Sequence, residues 1–297
     1  MIYRPGLATT EENGLLNNTA EAKNDPMGMS FEESTIESMD GVRIHVRIVW
    51  APNADARQAS TIIFCQTNVG DFSLGRILLL ANETRSNVVL WSYRGYGSST
   101  GTPNEVGIRH DAVALSRWLV TRGDIDTRKV FWYGVSLGGA VAAHAVADTL
   151  NDPTTCPSAG LILENTLTSI PDMAIAPSLS LIKMIVSPFI RDKWDTAAIA
   201  PLLGSSVPTL FISSLNDWKV WPHQMNKLHK TFTSAHVAAR EALRVDPRVP
   251  YREPAIHTFR AGHMDIPTKM PGGWAGCIEK FIDQNCCYVV RLDEREV

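Results

Sequence analysis

A serine lies at the centre of the most informative pattern in this sequence, Gly134-Val-Ser-Leu-Gly-Gly139. The apolar run Val130–Tyr133 precedes the pattern and an Ala-rich run follows it. A G-x-S-x-G motif in that context predicts a tight strand-to-helix turn that exposes the serine hydroxyl at the edge of a sheet. The flanking glycines fit this turn because larger side chains would collide with the neighbouring strand and helix. We therefore interpret Ser136 as a nucleophile for acyl chemistry; the alternative is a serine that caps a helix at a tight crossover.

A nucleophilic serine needs a general base and a group that orients the base. In serine enzymes built on such a turn the order along the chain is serine, acid, histidine, each after a strand. Among eight histidines, His263 follows the last predicted strand and precedes the last predicted helix, so we predict that it is the base. Asp217 follows an earlier strand and is the predicted acid. Glu164, at the end of another strand, is the alternative acid, and Asp265 is interpreted as a residue that orders its loop.

An oxyanion intermediate needs two aimed donors. The Leu137 N–H, at the start of the helix after the serine, is the first candidate because it lies at the positive end of the helix dipole. The Asn68 N–H is the second, in the turn Gln66-Thr-Asn-Val-Gly70 after the predicted strand Thr61–Cys65. An ordinary strand-to-helix turn without an aimed donor is the alternative.

The segment 167–200 interrupts the alternation of strands and helices with several prolines and the apolar run Leu179–Val186. It is too long for a simple strand-to-helix turn and predicts a small helical lid over a pocket. The alternative is an ordinary packed crossover helix. Trp218 and Trp221 follow the predicted acid and, with Thr67, are candidates for an apolar or aromatic pocket.

The elements that must position these residues follow from hydrophobic periodicity. Apolar and polar residues alternate over Val42–Ile48, which predicts a half-buried strand, and Asp40-Gly41 predicts a hairpin with Phe31–Glu37. Short apolar runs then alternate with amphipathic segments, which predicts a mostly parallel central sheet with helices on both faces. The apolar runs are Thr61–Cys65, Asn87–Trp91, Val130–Tyr133, Leu161–Leu163, Thr209–Ile212 and Ile256–Phe259, and the helical segments lie near 73–82, 105–121, 137–149, 223–233 and 273–285.

Composition bounds the class of protein. In 297 residues, 44% are hydrophobic and 20% charged, which is enough apolar surface for a core and excludes disorder over most of the chain. The net charge of −3 offers no basic surplus for nucleic acid. No apolar run is long enough to span a membrane. Five cysteines without a C-x-x-C pair indicate a reducing compartment and a cytoplasmic location, with no metal site. We expect a flexible lead over 1–28, one domain over 29–290 and a tail over 291–297.

From Met27 to about Ile282 the sequence resembles the alpha/beta hydrolase superfamily. Within it, the chain is similar to the abhydrolase-domain serine hydrolases related to the bud-emergence protein of fungi. The resemblance implies the alpha/beta-hydrolase fold and a Ser/Asp/His triad, but no substrate. The motifs that carry it are Asp40-Gly-Val-Arg-Ile-His45, Tyr93-Arg-Gly-Tyr-Gly-Ser98, Gly134–Gly139, Glu164-Asn-Thr166, Lys193-Trp-Asp195, Asp217 and Gly262-His263.

Two departures from that family matter. The family has His-Gly-Asn-Ala-Gly at the first oxyanion turn, so Thr67 carries a Cβ where relatives keep glycine. Either Thr67 adopts an ordinary backbone conformation or its hydroxyl takes part in the site. Many relatives also begin with a hydrophobic anchor, which makes membrane association, with peripheral membrane contact, the alternative to a cytoplasmic location.

The sequence thus predicts a serine hydrolase that cleaves a carboxylic ester or thioester of a small-molecule acyl substrate, without cofactor or metal. An acyl-transfer or lactonising enzyme acting on a pathway intermediate is one alternative, because it would form the same acyl-enzyme. A hydrolase-like binding protein with little turnover is another, suggested by the altered Gln66-Thr67 turn.

Overall fold

A single sheet organises the protein. The computed structural model describes residues 2–5, 29–52, 55, 57–70, 74–174, 180–242 and 253–286. In these ranges eight strands follow the order β1-β2-β4-β3-β5-β6-β7-β8. The β1–β2 and β2–β4 pairs are antiparallel, and all the other pairs are parallel. The strands are β1 (Phe31–Glu37), β2 (Arg43–Val49), β3 (Thr61–Cys65), β4 (Asn87–Trp91), β5 (Val130–Val135), β6 (Gly160–Glu164), β7 (Thr209–Ser214) and β8 (Ala255–Phe259).

Helices cover both faces of the sheet, as the sequence predicts. The helices in the described ranges are α1 (Leu74–Thr84), α2 (Glu105–Val120), α3 (Leu137–Thr149), α4 (Ile170–Ala174), α5 (Ser180–Val186), α6 (Thr196–Ser206), α7 (Pro222–Ala242), α8 (Ile266–Lys269) and α9 (Pro271–Asn285). Side chains of α1 and α9 form a core on one face, and those of α2, α3, α6 and α7 form a core on the other.

The central strands are buried on both faces. In β3, Ile63 and Cys65 belong to the core with α3, whereas Ile62 and Phe64 belong to the core with α1. In a strand covered on both sides, the side chains on both faces are buried, so its sequence is a continuous apolar run instead of an alternation of apolar and polar residues. This is the pattern from which the sheet was predicted.

Helix α7 extends well beyond the predicted segment 223–233. Its buried face runs through Met225, Leu228, Phe232 and His236 at helical spacing. The last member of this face is a histidine, so hydrophobic periodicity alone does not reveal the final turns.

The segment 167–200 contains α4, α5, a 3₁₀ turn over Ser187–Phe189 and the start of α6. Helix α6 packs against α3 and α7, as the crossover-helix alternative requires. Exposed apolar side chains remain in α5 and the 3₁₀ turn, among them Met184, Ile185 and Phe189. Residues 175–179 within the predicted lid lie outside the described residues.

The first residues differ from the predicted flexible lead. Tyr3 is buried, and its hydroxyl accepts a hydrogen bond from the Trp194 indole N–H at 2.9 Å. A single aromatic residue in a polar segment has no periodicity, so the sequence does not reveal this contact. The rest of the predicted lead (6–28) and the predicted tail (291–297) lie outside the described residues. Where the chain is described, no helix is both long and apolar enough to cross a membrane.

Candidate active site

Ser136 occupies a strained turn between β5 and α3. Its φ is 57° and ψ is −123°, which non-glycine residues rarely adopt, and its side chain does not cap the helix. The hydroxyl is therefore not used as a helix cap, which argues against the capping alternative. Strain of this kind persists at functional sites only where the surroundings enforce it.

The positions of the glycines around Ser136 leave no room for a side chain. A Cβ at Gly134 would lie 2.0 Å from the Gly138 carbonyl oxygen, and one at Gly138 would lie 2.0 Å from the Cys65 carbonyl oxygen. A Cβ at Gly139 would lie 2.5 Å from the Thr166 side chain. The motif packs α3 tightly against β5, the turn after β3 and the turn after β6.

His263 and Asp217 meet behind this turn. His263 Nδ1 lies 2.6 Å from Asp217 Oδ2, and both side chains are buried. The other carboxylate oxygen, Oδ1, accepts hydrogen bonds from the N–H groups of Lys219 and Val220, each at 2.9 Å. The carboxylate is thereby fixed with one oxygen towards the imidazole, an arrangement that selects the tautomer with a proton on Nδ1 and a lone pair on Nε2.

Glu164, the alternative acid, is engaged elsewhere. Its carboxylate is fully buried and accepts hydrogen bonds from Arg76 at 2.5 Å, from the Trp274 indole N–H at 2.9 Å and from the Tyr133 hydroxyl. It forms an ion pair in the core between β6, α1 and α9. The structure therefore favours Asp217 over Glu164 as the partner of His263.

Asp265 lies close to His263 in sequence but serves its own loop. It forms an ion pair with Lys269, which lowers the pKa of the Asp265 carboxyl group. Its backbone carbonyl accepts hydrogen bonds from the Thr268 hydroxyl and the Lys269 N–H. These contacts agree with the interpretation of Asp265 as a loop-ordering residue.

The turn after β3 is held by the N-terminal segment. The Asn68 carbonyl accepts hydrogen bonds from the Arg4 N–H at 2.9 Å and from the Tyr96 hydroxyl at 2.8 Å. The Asn68 side-chain amide donates to the Ile2 carbonyl at 3.1 Å. Within the described ranges, neither the Asn68 N–H nor the Leu137 N–H makes a hydrogen bond. Both are therefore candidate donors to an oxyanion.

Thr67 adopts an ordinary backbone conformation. Its φ is not positive, so its Cβ imposes no backbone penalty in place of the glycine of relatives. Its hydroxyl oxygen accepts a long hydrogen bond of 3.4 Å from the Val69 N–H, which leaves the hydroxyl proton free to donate.

Most of the predicted site residues line one pocket of about 660 Å³. Ser136, His263, Leu137, Thr67, Asn68 and Trp218 all line it, and Asp217 lies behind His263. Apolar side chains form much of its wall, among them Ile2, Leu167, Ile170, Met173 and Val220. Trp221 does not line the pocket: its ring is largely exposed and packs edge-on against His223 at the start of α7.

Residues 70–274 match the alpha/beta hydrolase family. The chain belongs to this family. The alpha/beta hydrolase domain-containing protein WAV2 of Arabidopsis thaliana is 37% identical over 221 residues, which cover 68% of this chain and 67% of WAV2. The membrane protein YNL320W of Saccharomyces cerevisiae is 32% identical over 216 residues, or 71% of this chain and 72% of that one. The Pyrococcus furiosus esterase Pf2001 shares the fold, with a TM-score of 0.64 and 14% identity over 96% of this chain and 99% of the esterase.

The candidate site of this alpha/beta hydrolase also has supporting residues that the sequence analysis did not assign. The Tyr93 and Tyr96 hydroxyls donate to the carbonyls of Gln66 and Asn68, at 2.9 and 2.8 Å, so the two tyrosines support the turn after β3. Asn165 binds the loop that carries His263. The tyrosines and Asn165 belong to motifs that carry the family resemblance, which was the available signal, but only the packing reveals what they contact.

Proposed function

We propose that this alpha/beta hydrolase is a serine hydrolase that cleaves a carboxylic ester or thioester through Ser136, Asp217 and His263. One observation carries the proposal: the Asp217–His263 pair, joined at 2.6 Å, faces the same pocket as the strained Ser136 turn. The order serine, acid, histidine along the chain and the pocket shared by Ser136 and His263 support acyl transfer from serine.

In the proposed mechanism Ser136 Oγ attacks the acyl carbon while His263 Nε2 takes the hydroxyl proton. Asp217 stabilises the resulting imidazolium and holds its orientation. The N–H groups of Leu137 and Asn68 donate to the oxyanion as the tetrahedral intermediate forms. His263 returns the proton to the leaving alcohol or thiol, and water then attacks the acyl-enzyme with His263 again acting as the base. Ser136 Oγ makes no hydrogen bond to His263 in the described structure, and such bonds often tighten only when substrate binds.

The pocket supports an apolar acyl group in a small-molecule substrate. Ile2, Leu167, Ile170 and Met173 would contact an alkyl or aromatic chain beside Ser136, and burial of that chain would supply binding energy. Membrane association remains a proposal for this chain on the strength of its likeness to a yeast membrane protein.

An active-site-directed fluorophosphonate tests the assignment. We expect the protein to be labelled and Ser136→Ala to abolish labelling, with a loss in kcat on the order of 10⁴-fold or more. Ser169→Ala is the matched control, because Ser169 is a buried serine beside the pocket residue Ile170 and its hydroxyl accepts a hydrogen bond from the Asp172 N–H. Labelling of Ser136→Ala at the normal rate would show that the nucleophile is a different residue.

Esters and thioesters of graded acyl length, tested as competitors of the label, then define the substrate. Adding an acceptor alcohol distinguishes hydrolysis from acyl transfer, because both proceed through one acyl-enzyme and differ in the second nucleophile. A protein that binds the competitors without turnover would instead be the hydrolase-like binding protein.

A further inference from the structure

Asn165 lies at the carboxyl end of β6 and adopts a left-handed backbone conformation with φ of 44°. The residue is 1% exposed. Apart from glycine, asparagine and aspartate are the residues most readily found in this region. The conformation turns the side chain into the space between β7 and the loop after β8.

Three hydrogen bonds hold the amide of Asn165 there. Its Nδ2 group donates to the Ser214 hydroxyl at 2.9 Å and to the His263 carbonyl at 2.8 Å. Its Oδ1 atom accepts from the Ser214 N–H at 2.7 Å. That N–H is a donor only, so it requires the oxygen of the amide on its side and settles which way the amide points.

The neighbours of Asn165 hold the nucleophile. The Glu164 carbonyl accepts a hydrogen bond from the Ser136 N–H at 2.9 Å, and the Thr166 hydroxyl donates to the Ser136 carbonyl at 2.7 Å. The three consecutive residues Glu164, Asn165 and Thr166, at the carboxyl end of β6, therefore contact the serine turn on one side and the base loop on the other.

The amide of Asn165 is also connected to the loop that carries the acid, Asp217. Asn165 makes two hydrogen bonds to Ser214, the last residue of β7, and the Ser214 carbonyl accepts from the Asp217 N–H at 3.4 Å. Asn165 is thus a side chain that bridges the loop of the acid and the loop of the base, beside the backbone hydrogen bond from the Asn216 N–H to the Ala261 carbonyl at 3.1 Å.

We propose that Asn165 is a positioning residue that holds the His263 loop in register with Asp217 and Ser136. The inference rests on the proposed function. Asn165 touches neither substrate nor the reacting atoms and acts through the backbone of His263. Misplacing a reacting group by about 1 Å can cost about 10²-fold in rate, so losing this bridge affects kcat even though the triad itself is intact.

Asn165→Asp isolates the bridge, because aspartate has nearly the same shape and tolerates the same backbone region. The change replaces the Nδ2 donor by an oxygen that faces the His263 carbonyl, so an attraction becomes a repulsion. Asn165→Gly is the second variant: it permits the positive φ but deletes the amide.

Asn87→Asp is the matched control. Asn87 is likewise fully buried, accepts from the Ala51 N–H at 3.1 Å and donates to the Thr61 hydroxyl at 3.3 Å. Asn87 lies at the start of β4, at the amino ends of the parallel strands, whereas Ser136 follows the carboxyl end of β5. The same chemical change at Asn87 therefore disturbs stability without reaching the site.

Two readouts are measured for each variant: kcat and KM on an activated ester, and the proton NMR resonance of the His263 Nδ1–H, assigned by its absence in His263→Ala. We expect both Asn165 variants to lower kcat by about 10²-fold, with KM changed less than about twofold, and to shift or broaden the resonance. Asn87→Asp should leave kcat and the resonance as in the unmodified protein.

Equal kcat losses in Asn165→Asp and Asn87→Asp, or an Nδ1–H resonance unchanged in both Asn165 variants, would overturn the positioning role. If Asn165→Asp does not fold, Asn165→Gly decides the question by the same two readouts. Failure of the proposed function is distinguishable, because the unmodified protein would then not react with fluorophosphonate; in that case the resonance alone tests whether Asn165 positions His263.

Discussion

His263 and Asp217 lie 46 residues apart in the chain, yet His263 Nδ1 is 2.6 Å from Asp217 Oδ2. Two backbone N–H groups hold the second carboxylate oxygen, so the acid has one orientation. The arrangement fixes the imidazole ring with its free nitrogen available to the pocket. The proposed mechanism depends on this relationship more than on any other.

Asp217→Asn should reduce kcat by on the order of 10³ to 10⁴-fold, because an amide in this place favours the wrong imidazole tautomer. KM should change little, since Asp217 lies behind the pocket. Steady-state kinetics on an activated ester measure both constants. Asp265→Asn is the control: it removes the ion pair with Lys269 and should retain most of the activity. Equal losses in the two variants would contradict the assignment of Asp217.

Gly138→Ala should abolish labelling and lower the free energy of unfolding. The new Cβ would stand 2.0 Å from the Cys65 carbonyl oxygen and 2.5 Å from the Gln66 carbonyl oxygen, and backbone cannot yield as a flexible side chain does. Gly276→Ala is the matched control, since it lies inside helix α9 with nothing within 4 Å of its Cβ position. That change should stabilise the protein by about 0.5–1 kcal/mol. Urea unfolding and fluorophosphonate labelling together test the pair.

We expect the Thr67 hydroxyl to donate a hydrogen bond to the oxyanion. Thr67→Val removes this donor and should therefore lower kcat by about 10²-fold. Thr67 lines the pocket with Ser136, and its hydroxyl keeps a proton free to donate. Thr67→Ser retains the hydroxyl and should keep nearly normal kcat, whereas Thr67→Gly should not raise kcat because Thr67 already has an ordinary φ. The rate of acyl-enzyme formation in a stopped-flow experiment is the measurement. Normal rates in Thr67→Val would make the hydroxyl a bystander.

His144 makes stability depend on pH. It is buried in α3, and burial, assisted by the nearby Arg109 and opposed by Asp148, lowers its pKa from 6.5 to about 4. Between these values the unfolded chain binds a proton at this residue and the folded protein does not. The free energy of unfolding is therefore unaffected by His144 above about pH 6.5 and falls as the pH drops towards 4, by up to about 3 kcal/mol.

Urea unfolding of the unmodified protein and of His144→Gln between pH 4 and 7 measures this dependence, because glutamine carries no charge at any pH. The variant should lose less stability towards acid than the unmodified protein. Parallel stability curves for the two proteins would show that His144 does not remain neutral in the folded state.

Local patterns in the sequence predict the fold and the nucleophile. The predicted segments Thr61–Cys65, Asn87–Trp91 and 137–149 coincide with β3, β4 and α3. Their ends are marked by changes of composition next to the segment, and a strand buried on both faces is recognisable from its own residues. The Ser136 turn is equally local, because the glycines that it requires lie within three residues of it.

The choice between Asp217 and Glu164 needed the tertiary structure. Both acids end or follow a parallel strand, so the sequence left both open. The direction of each side chain favours Asp217: Glu164 points into the core towards Arg76, and Asp217 faces His263. A side chain's direction at a strand end depends on the neighbouring elements, which are distant in sequence.

The contacts around the site were likewise decided by tertiary structure alone. Tyr3 reaches Trp194, Tyr96 supports the Asn68 turn, and Asn165 joins the loops of the acid and the base. Tyr96 and Asn165 belong to motifs of the family resemblance, but no local pattern reveals what these residues contact, because each contact joins segments far apart in the chain. The sequence by itself determined which residues are chemically suited to acyl transfer. Packing at the carboxyl edge of the sheet decided how they are oriented, since hydrogen bonds between distant segments set that orientation.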